Sequence, residues 1–168
     1  FLIIREMETK IKIRDFFLKS FEAYQGRVRA LAEKGLPEAI RQVERWSKNP
    51  NMGDYQRNFH KIPLMLMILA DERSSSDVHT GSPVMAMNSL YGSIFPAMQN
   101  ILLACMIRGL GACPTSLHSY YEKEVKELLG VPESFRTCCI VTIGHTEKKY
   151  GSPRRIPSCQ KTHWDRWD

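Results

Sequence analysis

The side chains that could act as nucleophiles, metal ligands or general bases are spread along this 168-residue sequence without a recognised spacing. No two of its five histidines stand in a His-Glu-x-x-His pattern, which would place two zinc ligands on one helix face. No Gly-x-Ser-x-Gly turn is present, so the sequence does not predict the nucleophile turn of α/β-hydrolases. A Ser or Cys nucleophile that the fold assembles from distant residues stays open as an alternative.

The cysteine pattern indicates a reducing compartment. The count of five is odd and no two cysteines have the Cys-x-x-Cys spacing, so neither a zinc site nor a disulfide framework is predicted. We therefore expect five reduced thiols and a cytoplasmic protein. Cys138 and Cys139 are neighbours on a predicted strand, where successive side chains should point to opposite faces of the sheet.

The charge distribution argues against nucleic acid and membrane partners. The net charge is +6, but the basic residues are scattered apart from one cluster near the C-terminus, which comprises Lys148, Lys149, Arg154 and Arg155. A basic nucleic-acid-binding domain is one alternative, yet the sequence lacks an Arg-studded recognition helix and interleaved aromatic residues. No segment approaches the roughly 20 apolar residues that cross a bilayer. We therefore expect neither kind of partner.

The apolar periodicity predicts a single α+β domain over residues 1–168, with helices flanking a mixed sheet. Strands are expected at 1–5, 62–70 and 136–143, with a short extended segment at 112–117, and helices at 8–31, from Pro37, at 88–108 and from Ser119. The segment 48–57 is expected to be a loop, the segment 71–83 a polar connection, and residues 145–168 an extended tail.

The helix at 88–108 is the predicted centre of the fold, because it is apolar on nearly all faces. Such a helix must be buried in a deep core or against a partner subunit, and the sequence leaves both open. Gly109 and Gly111 are expected to end it. Ser119 and Glu122 have the spacing of a capping box for the following helix. His118, just before them, is expected to pack or to cap a turn, with approach to a ligand as the alternative.

Three segments carry a family resemblance. Ser93-Ile-Phe-Pro-Ala-Met-Gln-Asn100, Ile101-Leu-Leu-Ala104 and Gly109-Leu-Gly-Ala-Cys-Pro-Thr-Ser116 are similar to the central part of the nitroreductase superfamily. Later segments agree with it in order: Val125 to Pro132, then Ile140 to Gly144, then Tyr150-Gly-Ser-Pro-Arg-Arg-Ile-Pro157. The first 24 residues also resemble the family's first strand and following helix, so the resemblance covers most of the chain.

The resemblance implies an oxidoreductase that binds FMN at the interface of a homodimer, takes electrons from NAD(P)H and reduces nitroaromatic- or quinone-like acceptors. Pro114, Thr115 and Ser116 match the family segment that lies along the flavin ring. Arg155, with Arg154 beside it, matches the arginine that contacts the FMN phosphate, where a planar guanidinium can make two parallel bonds. From spacing alone, Thr115 and Ser116 could be polar residues leading into a helix, and Arg155 a surface charge.

The sequence departs from the family pattern at its start. Members begin with an arginine-rich segment that grips the FMN phosphate, and no such segment precedes the first strand here. We therefore expect a chain that holds the ring-side wall but only part of the phosphate site. The alternative is a non-catalytic or truncated module that binds flavin or forms oligomers without catalysis.

Overall fold

The computed structural model describes residues 1–75, 77–147, 151 and 155–167. Its strands are β1 (Leu2–Ile4), β2 (Leu64–Asp71), β3 (Leu110–Thr115) and β4 (Phe135–His145). Its helices are α1 (Met7–Glu33), α2 (Pro37–Ser47), α3 (Asp54–Arg57), α4 (Asp77–Thr80), α5 (Pro83–Ile107) and α6 (Glu122–Leu129). The predicted strands and the four longer helices are confirmed. The short helices α3 and α4 lie in segments that the sequence predicted to be irregular.

The four strands form one sheet in the order β1-β2-β4-β3, and every neighbouring pair is antiparallel. Helix α1 covers one face and α5 the other, which confirms an α+β fold with helices flanking the sheet. Covering on both faces explains why β2 is a nearly continuous apolar run rather than an alternating one.

The core on the α1 face is the larger of the two. Its fully or almost fully buried members come from both halves of the chain and comprise Ile4, Ile13, Phe17, Phe59, Met65, Met67, Val125 and Ile140. The buried Lys10 is satisfied there, because its Nζ donates to the Ile62 carbonyl at 2.8 Å. That bond ties α1 to the segment entering β2.

A β-bulge changes the expected orientation of two cysteines. Strands β2 and β4 shift register after Ile68, and Cys138 has no partner in the ladder. Cys139 Sγ lies 3.5 Å from Met98 Sδ, while Cys138 packs beside Leu90, so both thiols face α5. The prediction that they point to opposite faces is wrong, because the extra residue of a bulge breaks the two-residue alternation of a strand.

Helix α5 begins five residues before its predicted start. Ser82 caps it, since its side chain accepts from the Met85 N–H, and Pro83 occupies the first turn, where its missing N–H costs nothing. The helix ends as predicted at Gly109, which has a φ of +69°. Gly111, also expected at the helix end, instead lies within β3.

Within the part of the chain that the structure describes, one side of α5 is buried and the other is not. Leu90 and Cys105 are buried, whereas Met85, Phe95, Leu103 and Met106 are 57%, 43%, 43% and 48% exposed. The described residues therefore do not enclose α5 in a deep core, which was one of the two expected environments. By length and composition alone, α5 is apolar enough to cross a membrane, which differs from the sequence-based expectation. The helix reaches this mean hydropathy because it has no charged residue, although polar residues interrupt its apolar runs.

The start of α6 differs from the predicted capping box. A 3-10 turn at Leu117–Tyr121 precedes the helix, and the N-cap residue of α6 is Tyr121, whose side chain makes no capping hydrogen bond. Glu122 Oε1 instead accepts from the backbone N–H and the hydroxyl of Thr137, at 2.8 and 3.1 Å. The Glu122 carboxylate, which the local pattern placed at the start of the helix as part of the capping box, is therefore bound to β4 instead.

Candidate functional site

The predicted ring-side segment, residues 114–116, lies at the end of the edge strand β3. The positive φ of Gly109 turns the chain from α5 directly into β3, which brings this segment to the surface. Pro114 and Ser116 are exposed and Thr115 is half-buried. Ala112 packs against α5 residues, and Pro114, two residues later in the strand, shares its face.

The backbone of the ring-side segment has one unpaired edge. Strand β3 pairs with β4 only, and no described strand lies on its other side. The turn that follows is fixed by two bonds: Leu117 N donates to Thr115 Oγ1 at 3.4 Å, and Ser119 N donates to Ser116 O at 3.0 Å. A shallow cavity of about 340 Å³ opens beside it, with Ser116, Leu117, Ser119 and Tyr120 in its lining.

A second cavity, of about 640 Å³, lies where β3 and β4 meet the α3 segment, and Tyr55, Pro63, Cys113 and Thr142 are among its lining residues. Tyr55 Oη lies 2.9 Å from Thr142 Oγ1, and Thr142 Oγ1 donates to the Cys113 carbonyl at 3.2 Å. No pattern in the sequence predicted this arrangement, because Tyr55 is 58 residues before Cys113 and lies in a predicted loop.

His118 is fully buried directly after the ring-side segment. Its Nε2 lies 3.3 Å from the Thr137 carbonyl, and Nδ1 has no hydrogen-bond partner. Burial lowers the pKa of His118, so the ring stays neutral near pH 7, with the Nε2 proton on the carbonyl. The expectation that His118 packs is confirmed.

The cysteines on β4 are poor nucleophiles. Burial raises the pKa of Cys139 to about 11 and also raises that of Cys138, so both are neutral thiols at physiological pH. All five cysteines of the chain are free thiols in the structure.

The two predicted phosphate ligands are only partly located. Arg155 is exposed in the C-terminal tail, and Arg154 lies outside the described residues. Gly151, four residues before Arg155, lines the same cavity as Cys113. Gly151 itself therefore lies beside the β3–β4 edge.

The donor set of this edge suits a flavin ring. Unpaired backbone groups and the Ser116 hydroxyl can bond the polar edge of a flat heterocycle, and the exposed Pro114 offers an apolar surface beside them. Of the two arginines expected at the phosphate, the described residues include Arg155 alone, so the donor types present fit the ring side and the phosphate side is described only in part.

Known proteins share both the sequence pattern and the fold of this chain. The model of the Nitroreductase family matches residues 1–145. The fold is similar to a BluB-like flavoprotein from Clostridium difficile 630, with a TM-score of 0.64 and 16% identity over 98% of this chain and 78% of that one. An FMN-dependent nitroreductase from Clostridium difficile R20291 gives a TM-score of 0.53 and 17% identity over 99% and 74%.

A third solved structure is the NADPH:FMN oxidoreductase from Vibrio harveyi, complexed with NAD+. Its TM-score is 0.59 at 15% identity, over 99% of this chain and 58% of that one. This chain thus spans little more than half of the Vibrio harveyi protein and about three quarters of the two Clostridium difficile proteins. At such identities the likeness is one of fold, while the family match extends over most of the sequence. The chain belongs to the nitroreductase family of oxidoreductases.

Proposed function

We propose that this protein is an FMN-dependent oxidoreductase that uses NAD(P)H to reduce nitroaromatic- or quinone-like acceptors. The observation that carries the proposal is the exposed ring-side segment, held at the free edge of β3 with its backbone fixed on either side. FMN, when bound, supplies the two-electron redox chemistry between donor and acceptor. The protein is left to bind, orient and shield the ring.

Each proposed ligand has a distinct part in this scheme. Pro114 would hold the ring through apolar contact, and Thr115 and Ser116 would offer backbone and hydroxyl groups that stabilise added negative charge. Arg155, with Arg154, would hold the phosphate. If donor and acceptor react in turn with the flavin in one pocket, no side-chain acid or base is required. This explains why the described residues offer no conspicuous acid or base beside the ring-side segment. Parallel rather than intersecting lines in steady-state kinetics are expected for such alternation.

We further propose that the protein is a cytoplasmic homodimer, with the outward face of α5 covered by a second copy. The helix contains no charged residue over its 25 positions, and its outward face carries the exposed Phe95, Leu103 and Met106. A partner subunit that covered this face would also bring a second surface towards the neighbouring end of β3. The nitroreductase and the NADPH:FMN oxidoreductase with similar folds are named for FMN, which supports the choice of cofactor.

The phosphate and ring contributions can be separated by comparing FMN with riboflavin, which lacks the phosphate. Titration of the purified chain with each flavin, followed by fluorescence quenching, gives the two dissociation constants. We expect Arg155→Ala to weaken FMN about 10-fold or more, at roughly 1.5–3 kcal/mol for a bond to a charged group, and to leave riboflavin unchanged. Arg29→Ala, which removes an exposed arginine from α1, is the matched control.

Equal loss of both flavins in Arg155→Ala would contradict a phosphate contact. A wild-type chain that binds neither flavin would contradict the proposed function and favour the non-catalytic alternative.

A further inference from the structure

We propose that Tyr55 and Thr142 are positioning residues that hold the Cys113–Pro114 peptide, and through it the ring-side segment, in place for the flavin. This inference rests on the proposed function for its link to flavin, and on the structure for the contacts themselves. Neither residue belongs to the ring-side segment. They act from the opposite, α1-covered face of the sheet.

The direction of the hydrogen bonds follows from the number of available protons. The Cys113 carbonyl can only accept, so the single hydroxyl proton of Thr142 is donated to it at 3.2 Å. Thr142 Oγ1 must then accept at its other contact, and Tyr55 donates to it at 2.9 Å. The three groups form one directed relay, from the Tyr55 hydroxyl through the Thr142 hydroxyl to the Cys113 carbonyl.

The relay starts from a rigid base. The Tyr55 ring packs edge-on against Phe17 and Phe59, with centroids 6.0 and 5.5 Å away, and both phenylalanines are fully buried. Gly53, with a φ of +85°, starts the short helix that carries Tyr55. Burial raises the pKa of Tyr55, so its hydroxyl remains a donor throughout the physiological pH range.

The relay ends on the peptide that leads into Pro114. Pro114 is opposite Val141 in the register of the edge strand β3 and has no N–H to donate. Because the peptide bond is planar, a bond to the Cys113 carbonyl fixes the plane in which the Pro114 nitrogen and Cα lie. The Thr142 hydroxyl thus adds a side-chain hydrogen bond to the peptide next to the ring-side segment.

Loss of the relay should loosen the peptide without unfolding the sheet. The cavity of about 640 Å³ beside Tyr55 and Cys113 is open to solvent, so water can take over the freed carbonyl. The exposed Cys113 thiol is a reporter of the change, because it belongs to the residue whose carbonyl ends the relay and its side chain also contacts Tyr55. No ionised group is part of the relay, so its effect should not depend on pH between 6 and 8.

The test combines a thiol measurement on the flavin-free chain with a flavin titration. The variants are Thr142→Val, which keeps the side-chain shape, Tyr55→Phe, Thr142→Ser as the conservative rescue, and Tyr24→Phe as a matched control elsewhere in the chain. Alkylation by iodoacetamide is followed by mass spectrometry at Cys113, with the exposed Cys159 as internal reference. FMN and riboflavin are then titrated into each variant.

We expect Thr142→Val to speed Cys113 alkylation severalfold and to weaken both flavins about 5- to 10-fold, since two polar groups lose their partner. Tyr55→Phe should have a smaller effect in the same direction, while Thr142→Ser and Tyr24→Phe should behave as wild type. If Thr142→Val does not fold, Tyr55→Phe and Thr142→Ser still decide the question.

The two proposals fail in different ways. Unchanged Cys113 alkylation in Thr142→Val and Tyr55→Phe would overturn the positioning role, whether or not flavin binds. Altered alkylation with unaltered flavin affinity would separate the relay from the flavin and overturn the inference as stated. A wild-type chain without flavin affinity would overturn the proposed function, and with it the role assigned to the relay.

Discussion

His118 shows how a single side chain beside the candidate site can serve the fold rather than the chemistry. It is fully buried, its Nε2 bonds the Thr137 carbonyl, and it is neutral in the folded protein because burial lowers its pKa. Because the folded protein holds His118 neutral, protonation of His118 in the unfolded chain lowers the free energy of unfolding. Its titration should therefore appear as a pH dependence of stability, not of chemistry.

We expect the free energy of unfolding to fall as the pH drops from 7.5 to 5.5. With a folded pKa below the unfolded value near 6.5, the unfolded chain takes up the proton first, and the loss can reach about 1.4 kcal/mol per pH unit. His118→Gln keeps an N–H donor but does not titrate, so it should lose less over the same interval. Urea unfolding at both pH values measures the difference.

The lowered pKa of His60 is present in wild type and variant alike, so its contribution cancels in the comparison. The same pH dependence in His118→Gln as in wild type would show that another group causes it.

At the scale of elements, α6 is anchored by tertiary contacts rather than by its own sequence pattern. Glu122 accepts two bonds from Thr137 of β4, and Val125, one turn later, is fully buried in the α1-side core. The helix therefore ties the turn after the ring-side segment to the interior strand β4. The N-terminal pattern of Ser119 and Glu122 has no part in this.

The two accounts of α6 make opposite predictions for Ser119. We expect Ser119→Ala to change stability by less than about 0.5 kcal/mol, as for an ordinary surface residue, because its side chain caps nothing here. Glu122→Ala should cost about 1.5–3 kcal/mol, because it removes a charged acceptor and leaves a backbone N–H without a partner. Thermal or urea unfolding distinguishes them. If Ser119→Ala lowered the free energy of unfolding by about 1 kcal/mol or more, Ser119 would act as a helix cap after all.

At the scale of the whole molecule, the unbalanced burial of α5 is the main feature. The sheet covers one side of the helix, and the opposite side presents Phe95, Leu103 and Met106. Burial of these side chains against a second copy would stabilise the dimer by roughly 1 kcal/mol for each half-exposed apolar side chain, counted on both subunits. The symmetric pairing of one uncharged helix face is the commonest form of such an interface.

We expect Leu103→Asp to convert a homodimer into monomers, since a carboxylate would have to be buried in an apolar contact. Leu36→Asp is a matched control: Leu36 has the same exposure as Leu103, 43%, but lies between α1 and α2. Size-exclusion chromatography with light scattering gives the mass of each variant. If wild type, Leu103→Asp and Leu36→Asp share one mass, α5 is not the interface.

Several features of the protein follow from the sequence by itself. The apolar runs that form β2 and α5, the glycine at the end of α5 and the order of motifs from Ser93 to Pro157 depend on local spacing, so they predicted the elements, the α+β class and the family. The ring-side segment was located in the same way, because it directly follows a recognisable helix end. Its role as a flavin contact, like that of Arg154 and Arg155, remains a prediction.

Only the tertiary structure decided the features that join distant parts of the chain. Because of the bulge, Cys138 and Cys139 face the same side of the sheet. Glu122 bonds Thr137 of β4 rather than the start of its own helix. Tyr55 contacts Thr142, which in turn bonds Cys113. Such contacts leave no periodic trace, since each depends on how strands and helices meet rather than on neighbouring residues. The exposure of α5 was also left open, because an apolar sequence cannot distinguish burial in its own core from burial against a partner.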